Sequence, residues 1–135
     1  MNVAQIVGWS GAGKTTLIVE LIRLYVARGL TVGAIKHTHH DLDGIDLRGG
    51  GDTARFLAAG AGSVMLAGNE EAIIDTRRIR YERPPDLLAA FTNDVVLVEG
   101  FKSFTGWPRV EVRPDARPSA AAVAAILDRI RHSAS

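Results

Sequence analysis

The run Gly8-Trp9-Ser10-Gly11-Ala12-Gly13-Lys14-Thr15, continued by Thr16, fits G-x-x-x-x-G-K-[ST] at every fixed position. Residues of these types at this spacing can hold a polyphosphate. The glycines let the backbone curl, so that N–H groups from Gly11 through Thr16 point into one concavity at a helix N-terminus. In such a loop the Lys14 ammonium reaches the β- and γ-phosphates. The Thr15 hydroxyl offers an oxygen to Mg²⁺, a hard ion that takes few protein ligands besides the phosphates. The second half of this chemistry is expected at Asp94-Val95-Val96-Leu97-Val98-Glu99-Gly100, where four apolar residues end in an acid. Glu99, emerging at the carboxyl end of a buried strand across from Thr15, can hold Mg²⁺ through a water or orient an attacking water.

A third stretch, Lys36-His37-Thr38-His39-His40-Asp41-Leu42-Asp43-Gly44-Ile45-Asp46, gathers three histidines and three carboxylates into eleven residues. A zinc site is one reading, but the histidine spacing matches no familiar zinc pattern and the chain has no cysteine. A solvated polar loop is another. The favoured reading is a mobile loop, on the same sheet edge as the phosphate loop, whose Lys36, His37 or a carboxylate meets the nucleotide, its Mg²⁺ or a second substrate. Its candidates are Lys36, His37, His39, His40 and Asp41.

The positioning elements follow from periodicity. Residues 2–8 form an almost unbroken apolar run, as in a central strand covered on both faces. Residues 14–28 carry two adjacent apolar stripes and meet Gly29 where a helix-ending glycine belongs. Residues 30–35 read as the second strand, joined to the first by a right-handed crossover. Asp52 is placed as N-cap of a short helix over 53–59. Further strands are expected at 63–66, 72–74, 79–81, 94–99 and 109–112, with Thr76-Arg77-Arg78 as a basic turn. A short helix over 84–91 and a last helix over 119–131, with Val123, Ile126, Leu127 and Ile130 on one face, complete the chain. The fold class expected is α/β, a three-layer P-loop NTPase domain with a mostly parallel sheet flanked by helices.

The chain of 135 residues is expected to be a single nucleotide-binding domain over 1–135. At 47% hydrophobic and 23% charged residues with net charge +1, its composition is that of an ordinary soluble protein rather than a nucleic-acid binder. No apolar run approaches a membrane span of ~20 residues. The absence of cysteine and of a leader pattern fits a cytoplasmic location. A guanine-selecting N/T-K-x-D motif is absent, so no residue names the base. Arg48 and Lys102 lie in plausible loops, but nothing in the sequence fixes their aim. Since a positioned arginine supplies ~10³ to 10⁵ in rate, slow hydrolysis is expected.

Three segments together, Ile6 to Leu17, Lys36 to Asp41 and Val96 to Lys102, resemble the molybdopterin-guanine dinucleotide biosynthesis adaptor family, MobB. The phosphate loop is shared with all P-loop proteins; the other two, in this order and spacing, are far more specific. The Ala-Ala-Gly-Ala run near residue 60 also matches, so the resemblance covers essentially the whole chain. It implies a GTP-binding, weakly GTP-hydrolysing homodimer that uses Mg²⁺. Its implied partner is the enzyme that attaches GMP to molybdopterin, with molybdopterin itself a further candidate ligand. By position, Gly8, Gly11, Ala12, Gly13, Lys14, Thr15 and Thr16 would bind the nucleotide, with Glu99 and Gly100 as the acidic strand end. One departure stands out: where the family tends to read Gly-Lys-Asp-Ser, this chain has Gly50-Gly51-Asp52-Thr53. The acid and hydroxyl are kept and the lysine is lost; if that lysine helps bind an anionic substrate or partner, the chain does without it or uses Arg48. Two other functions fit the same motifs. One is a small kinase passing a γ-phosphate from ATP or GTP to an acceptor at the His-rich segment. The other is a nucleotide-gated interaction module.

Overall fold

The computed structural model describes residues 1–9 and 13–134, with side chains as far as 129. The chain runs β1 (Asn2–Gly8), α1 (Lys14–Ala27), β2 (Val32–His37), α2 (Gly51–Ala59), β3 (Ser63–Ala67), β4 (Glu71–Ile74) and β5 (Arg77–Arg80). A 3₁₀ helix (Pro84–Ala90), β6 (Val95–Glu99), β7 (Arg109–Val112) and α3 (Ala120–Ala134) follow. The strands form a sheet in the order β5-β4-β3-β2-β6-β1-β7. β3, β2, β6, β1 and β7 are mutually parallel, and β4 and β5 add an antiparallel hairpin at one edge. This is a mostly parallel, helix-flanked sheet of the P-loop NTPase kind.

Side chains alternate between two cores, as the period of a strand requires. On one face Ala4, Ile6, Val32, Ala34, Val95 and Leu97 pack with Leu17, Ile18, Leu21 and Ile22 of α1, Phe56 of α2 and Val123 of α3. On the other, Ile35, Met65, Val96 and Val98 pack with Leu87, Phe91 and Phe101. The second face is covered by the 3₁₀ helix and the loop after β6. Each large apolar side chain so buried contributes about 1.5–3 kcal/mol.

Several boundaries differ from the sequence-based expectation. β2 starts at Val32 because Leu30 belongs to the helix-ending turn, where the Gly29 N–H bonds Val26 O at 2.9 Å and the Leu30 N–H bonds Tyr25 O at 3.1 Å. It then runs on through Lys36 and His37, since β3 and β6 offer ladder partners on both sides. These two residues are therefore strand, not mobile loop. α2 is capped by Gly50 without a side-chain bond, so Asp52 lies in its first turn and is not the cap. β5 is Arg77–Arg80, so Arg77 and Arg78 are strand and not turn, and Arg78 and Arg80 pair with Glu71 at 3.4 and 3.6 Å, which neutralises part of their charge. Of the stripe expected on the last helix, Val123 is buried and Leu127 packs against the core, joined by Ala120 and Ala124, whereas Ile126 is 43% exposed and the side chain of Ile130 lies outside those described.

Gly33 in β2 has a packing reason to be glycine. A Cβ there would stand 2.5 Å from Cδ1 of Phe91, whose ring is fixed in the second core. Gly33→Ala is expected to lower stability by about 1–3 kcal/mol through overpacking. Gly62→Ala, whose Cβ would meet Asn93 at an ordinary 3.5 Å, should be nearly neutral. Urea denaturation of the two variants side by side checks this.

Candidate functional site

β6 lies between β1 and β2, and the ladders set Glu99 opposite Ile6 on one side and Lys36 on the other. The carboxyl end of β6 thus faces both the loop that leaves β1 and the last turn of β2. α1 begins at Lys14, capped by Gly13 in the left-handed region at φ 94°, a conformation that glycine adopts without strain. The phosphate-loop lysine and the acid are brought together in this way by topology alone.

The side chains meet in a cleft of about 350 Å³ bounded by Gly13 to Thr16, Lys36, Asp52, Arg55 and Glu99. Lys14 Nζ donates to the Gly8 carbonyl at 2.9 Å. Thr15 Oγ1 stands 3.5 and 3.4 Å from the two carboxylate oxygens of Glu99, long for a hydroxyl hydrogen bond. Thr15 also donates towards Asp52. Lys36 Nζ donates to Glu99 Oε1 at 3.0 Å and to Asp52 Oδ2. Glu99 is only 5% exposed, so its charge depends on these partners. Gly8 packs closely against β7, where a Cβ would press on the Val112 carbonyl oxygen at 2.2 Å.

Glu99 is aimed by the turn behind it. Gly100 (φ 104°) and Phe101 (φ 56°) are both left-handed, so the chain reverses sharply after the acid. Left-handed phenylalanine is strained by about 1–3 kcal/mol and persists only where its surroundings hold it. Gln5, wholly buried in β1, does so by donating Nε2 to the carbonyls of Gly100 and Phe101 at 2.8 and 2.7 Å. The Phe101 ring stacks on His37 at 4.1 Å and 12° and meets Tyr81 edge-on at 6.2 Å. A Cβ on Gly100 would come within 2.8 Å of His37 Cβ.

Electrostatics follow the geometry. Burial pulls the Lys14 pKa down, helped by the charges of Lys102 and Lys36 and opposed by Glu99. Burial also works against the Lys36 ammonium, yet its bonds to Asp52 and Glu99 outweigh this and raise its pKa. For Asp52, burial is outweighed by Lys36, and the pKa falls. His37 is pushed down by burial and by the charge of His39, against a 3.2 Å contact with Asn69 that works the other way.

Not every sequence candidate reaches the cleft. Lys36 does. His37 and His39 do not line it: His37 stacks on Phe101 of the second core, and the two histidine ring centroids are 4.8 Å apart. His40 and Asp41 face a separate surface hollow with Asn69, Glu70 and Arg78. Arg48 is exposed and does not line the cleft. Gly11 and Ala12 lie outside the described residues. Three site residues escaped sequence reasoning: Asp52, Arg55 and Gln5. The helical spacing from Gly51 to Arg55 could have signalled the second, because positions four apart share a face. Among the described residues no three His, Asp or Glu side chains form a metal cage. The oxygens of Thr15 and Glu99 suit Mg²⁺, which is held by one or two protein groups and by phosphates.

Comparison with known proteins supplies the context. The family model described as "Molybdopterin guanine dinucleotide synthesis protein B", MobB, matches residues 3–130. The molybdopterin-guanine dinucleotide biosynthesis adapter protein of Escherichia coli K12 is 40% identical over 99 residues, covering 70% of this chain and 55% of that protein. The protein of the same name from Haemophilus influenzae is 41% identical over 100 residues, covering 72% and 55%. The chain thus spans about half the length of the curated relatives it matches. A crystal structure of a MobB protein homolog from Bacillus stearothermophilus superposes with a TM-score of 0.51 at 24% identity, over 98% of this chain and 97% of that one. That likeness concerns the fold.

The His37 environment sets a pH dependence. Because its pKa is lowered on folding from an ordinary 6.5, its contribution to stability is complete above 6.5 and is lost as pH falls towards the folded value. Asp52, lowered from 3.8, loses its contribution only at more acid pH. Urea midpoints are therefore expected to fall between pH 7 and 5. His37→Phe, which keeps a ring to stack on Phe101, should fall less over the same interval.

Proposed function

The chain belongs to the MobB family, and on that premise we propose that it is a GTP-binding adaptor for the synthesis of molybdopterin-guanine dinucleotide. The observation that carries this reading is the convergence of Lys14, Thr15 and Glu99 on one cleft behind a loop of the G-x-x-x-x-G-K-[ST] pattern. Gly13 to Thr16 would hold the β- and γ-phosphates at the N-terminus of α1, where the helix dipole favours an anion. Lys14 would leave the Gly8 carbonyl and place its charge on the phosphate oxygens. Thr15 and Glu99 would hold Mg²⁺, which when bound neutralises charge on the phosphates. Gly8 packs closely on Val112 and Gly100 on His37, which leaves no room for a side chain at either strand end. On this reading hydrolysis is slow, as befits a switch that reports nucleotide state to a partner.

The remaining parts of the proposal rest on family membership. They are a homodimer in the cytoplasm, the GMP-transferring enzyme as partner and molybdopterin as a further ligand. Among the described residues no helix is long and apolar enough to cross a membrane.

Calorimetric titration with GTP and ATP, each with and without Mg²⁺, tests the nucleotide. The expected result is a clear preference for Mg²⁺-GTP; equal affinity for ATP would contradict the assignment of base. Lys14→Ala should weaken triphosphate binding by at least ~10²-fold, since it removes charge-assisted bonds, with the circular dichroism melt retained. Unfolding of that variant would mean that Lys14 is structural. Glu99→Gln should keep binding, reduce its dependence on Mg²⁺ and abolish phosphate release.

A further inference from the structure

We propose that the Lys36 ammonium is a displaceable internal cation: it fills the oxygen cluster of Glu99 and Asp52 without nucleotide, and moves to the γ-phosphate when a divalent ion enters. This deepens the proposed nucleotide-binding function and rests on it. The argument begins with register. Lys36 and Glu99 are ladder neighbours at the carboxyl ends of β2 and β6. Adjacent in-register side chains on one face of a sheet are within reach of each other, so the contact is built into the strand pairing.

The ammonium then collects more than that one partner. It bonds Glu99 Oε1 at 3.0 Å and also Asp52 Oδ2, a group brought from the first turn of α2. The Thr15 hydroxyl stands 3.4 Å from the same Glu99 carboxylate and donates towards the same Asp52. Carboxylate oxygens from β6 and α2 therefore hold a single positive charge, and the Thr15 hydroxyl of α1 stands against both carboxylates. Hard oxygens grouped in this way are what Mg²⁺ or Mn²⁺ takes. A divalent ion held by Glu99 cannot share that carboxylate with an ammonium, because the two cations would repel at close range in a poorly solvated site.

Lys36 has somewhere to go. Its side chain is 25% exposed and lines the same cleft as Gly13 to Thr16, and it lies near enough to Lys14 to lower that residue's pKa. Lysine carries a compact charge on a flexible four-carbon stem, so release from Glu99 leaves it in the phosphate cleft beside Lys14. A triphosphate supplies an anion to receive it. A diphosphate lacks the terminal group, so Lys36 returns to the carboxylates and the divalent ion is held less well. The pair would thereby couple metal occupancy to the presence of a γ-phosphate.

The test uses Mn²⁺ alone as the probe, titrated into nucleotide-free protein and followed by electron paramagnetic resonance. Wild type and Lys36→Arg, which both keep the cation, are expected to bind Mn²⁺ weakly. Lys36→Met should bind it at least about tenfold tighter, since removal of one partner leaves a buried carboxylate uncompensated. Mn²⁺ should also raise the melting temperature of Lys36→Met but not of wild type. If Lys36→Met does not fold, the charge-balanced Lys36→Met/Asp52→Asn is compared with Asp52→Asn alone, and the same gain is expected. No gain in the folded variant, or wild-type protein that binds Mn²⁺ equally tightly, overturns the exchange. Because no nucleotide is present, this failure is separate from a failure of GTP binding, which titration of wild type measures independently.

Discussion

A carboxylate removed from water must be compensated where it stands, and Glu99 sets that requirement for the centre of this sheet. It is 5% exposed at the end of the strand flanked by β1 and β2. An isolated charge in such a place would carry a desolvation penalty of several kcal/mol. The surroundings answer it with parts from separate elements: Lys36 from β2, Thr15 from α1 and, behind the turn, Gln5 from β1. Gln5 does not touch the carboxylate. It fixes the two left-handed residues that follow and so decides where the acid ends. The left-handed Phe101 is further held by the ring of His37, and the alignment of β2 with β6 serves both contacts.

The cleft beside Glu99 is electrostatically unfinished. Lys36 and Lys102 are close enough to act on Lys14, which is held below the ordinary lysine pKa chiefly by burial and then by these basic neighbours, against Glu99. Glu99 and Asp52 offset part of this positive charge. A polyphosphate would complete the balance by drawing cations off the carboxylates, while a metal would satisfy the oxygens left behind. Low solvent access makes such exchanges decisive, because charges interact more strongly where water is scarce. The nucleotide proposal and the lysine exchange are thus two sides of one charge arrangement.

What the sequence made legible is what local chemistry determines. The helix that opens at Lys14 and the acid at the end of β6 are each written in consecutive residues and stand where they were expected, while residues 10–12 of the phosphate loop lie outside the described residues. The MobB resemblance rested on the phosphate-loop stretch, Lys36 to Asp41 and Val96 to Lys102, and agrees with the family match over 3–130. Features that depend on pairing between distant segments were not legible. Asp52 looks like a helix cap in isolation, and only the approach of α2 to β2 turns it towards Lys36. Lys36 and His37 look like loop because their neighbours are polar, yet β3 pairs with both and β6 with Lys36, which holds them in the strand. Gln5 is one polar residue in an apolar run; its use appears only when the turn at Gly100 is placed beneath it. Arg48, the substitute suggested for the missing lysine, stays at the surface. Arg55, one helical turn beyond Gly51, lines the cleft.

The most direct measurement is a crystal structure of the protein with Mg²⁺ and a non-hydrolysable GTP analogue. The expected result has the phosphates against Gly13 to Thr16, the metal between Thr15 and Glu99, and Lys36 Nζ moved from the Glu99 carboxylate to a γ-phosphate oxygen. Nucleotide bound away from Lys14, or an intact Lys36–Glu99 contact beside a metal held by the same carboxylate, would contradict this account.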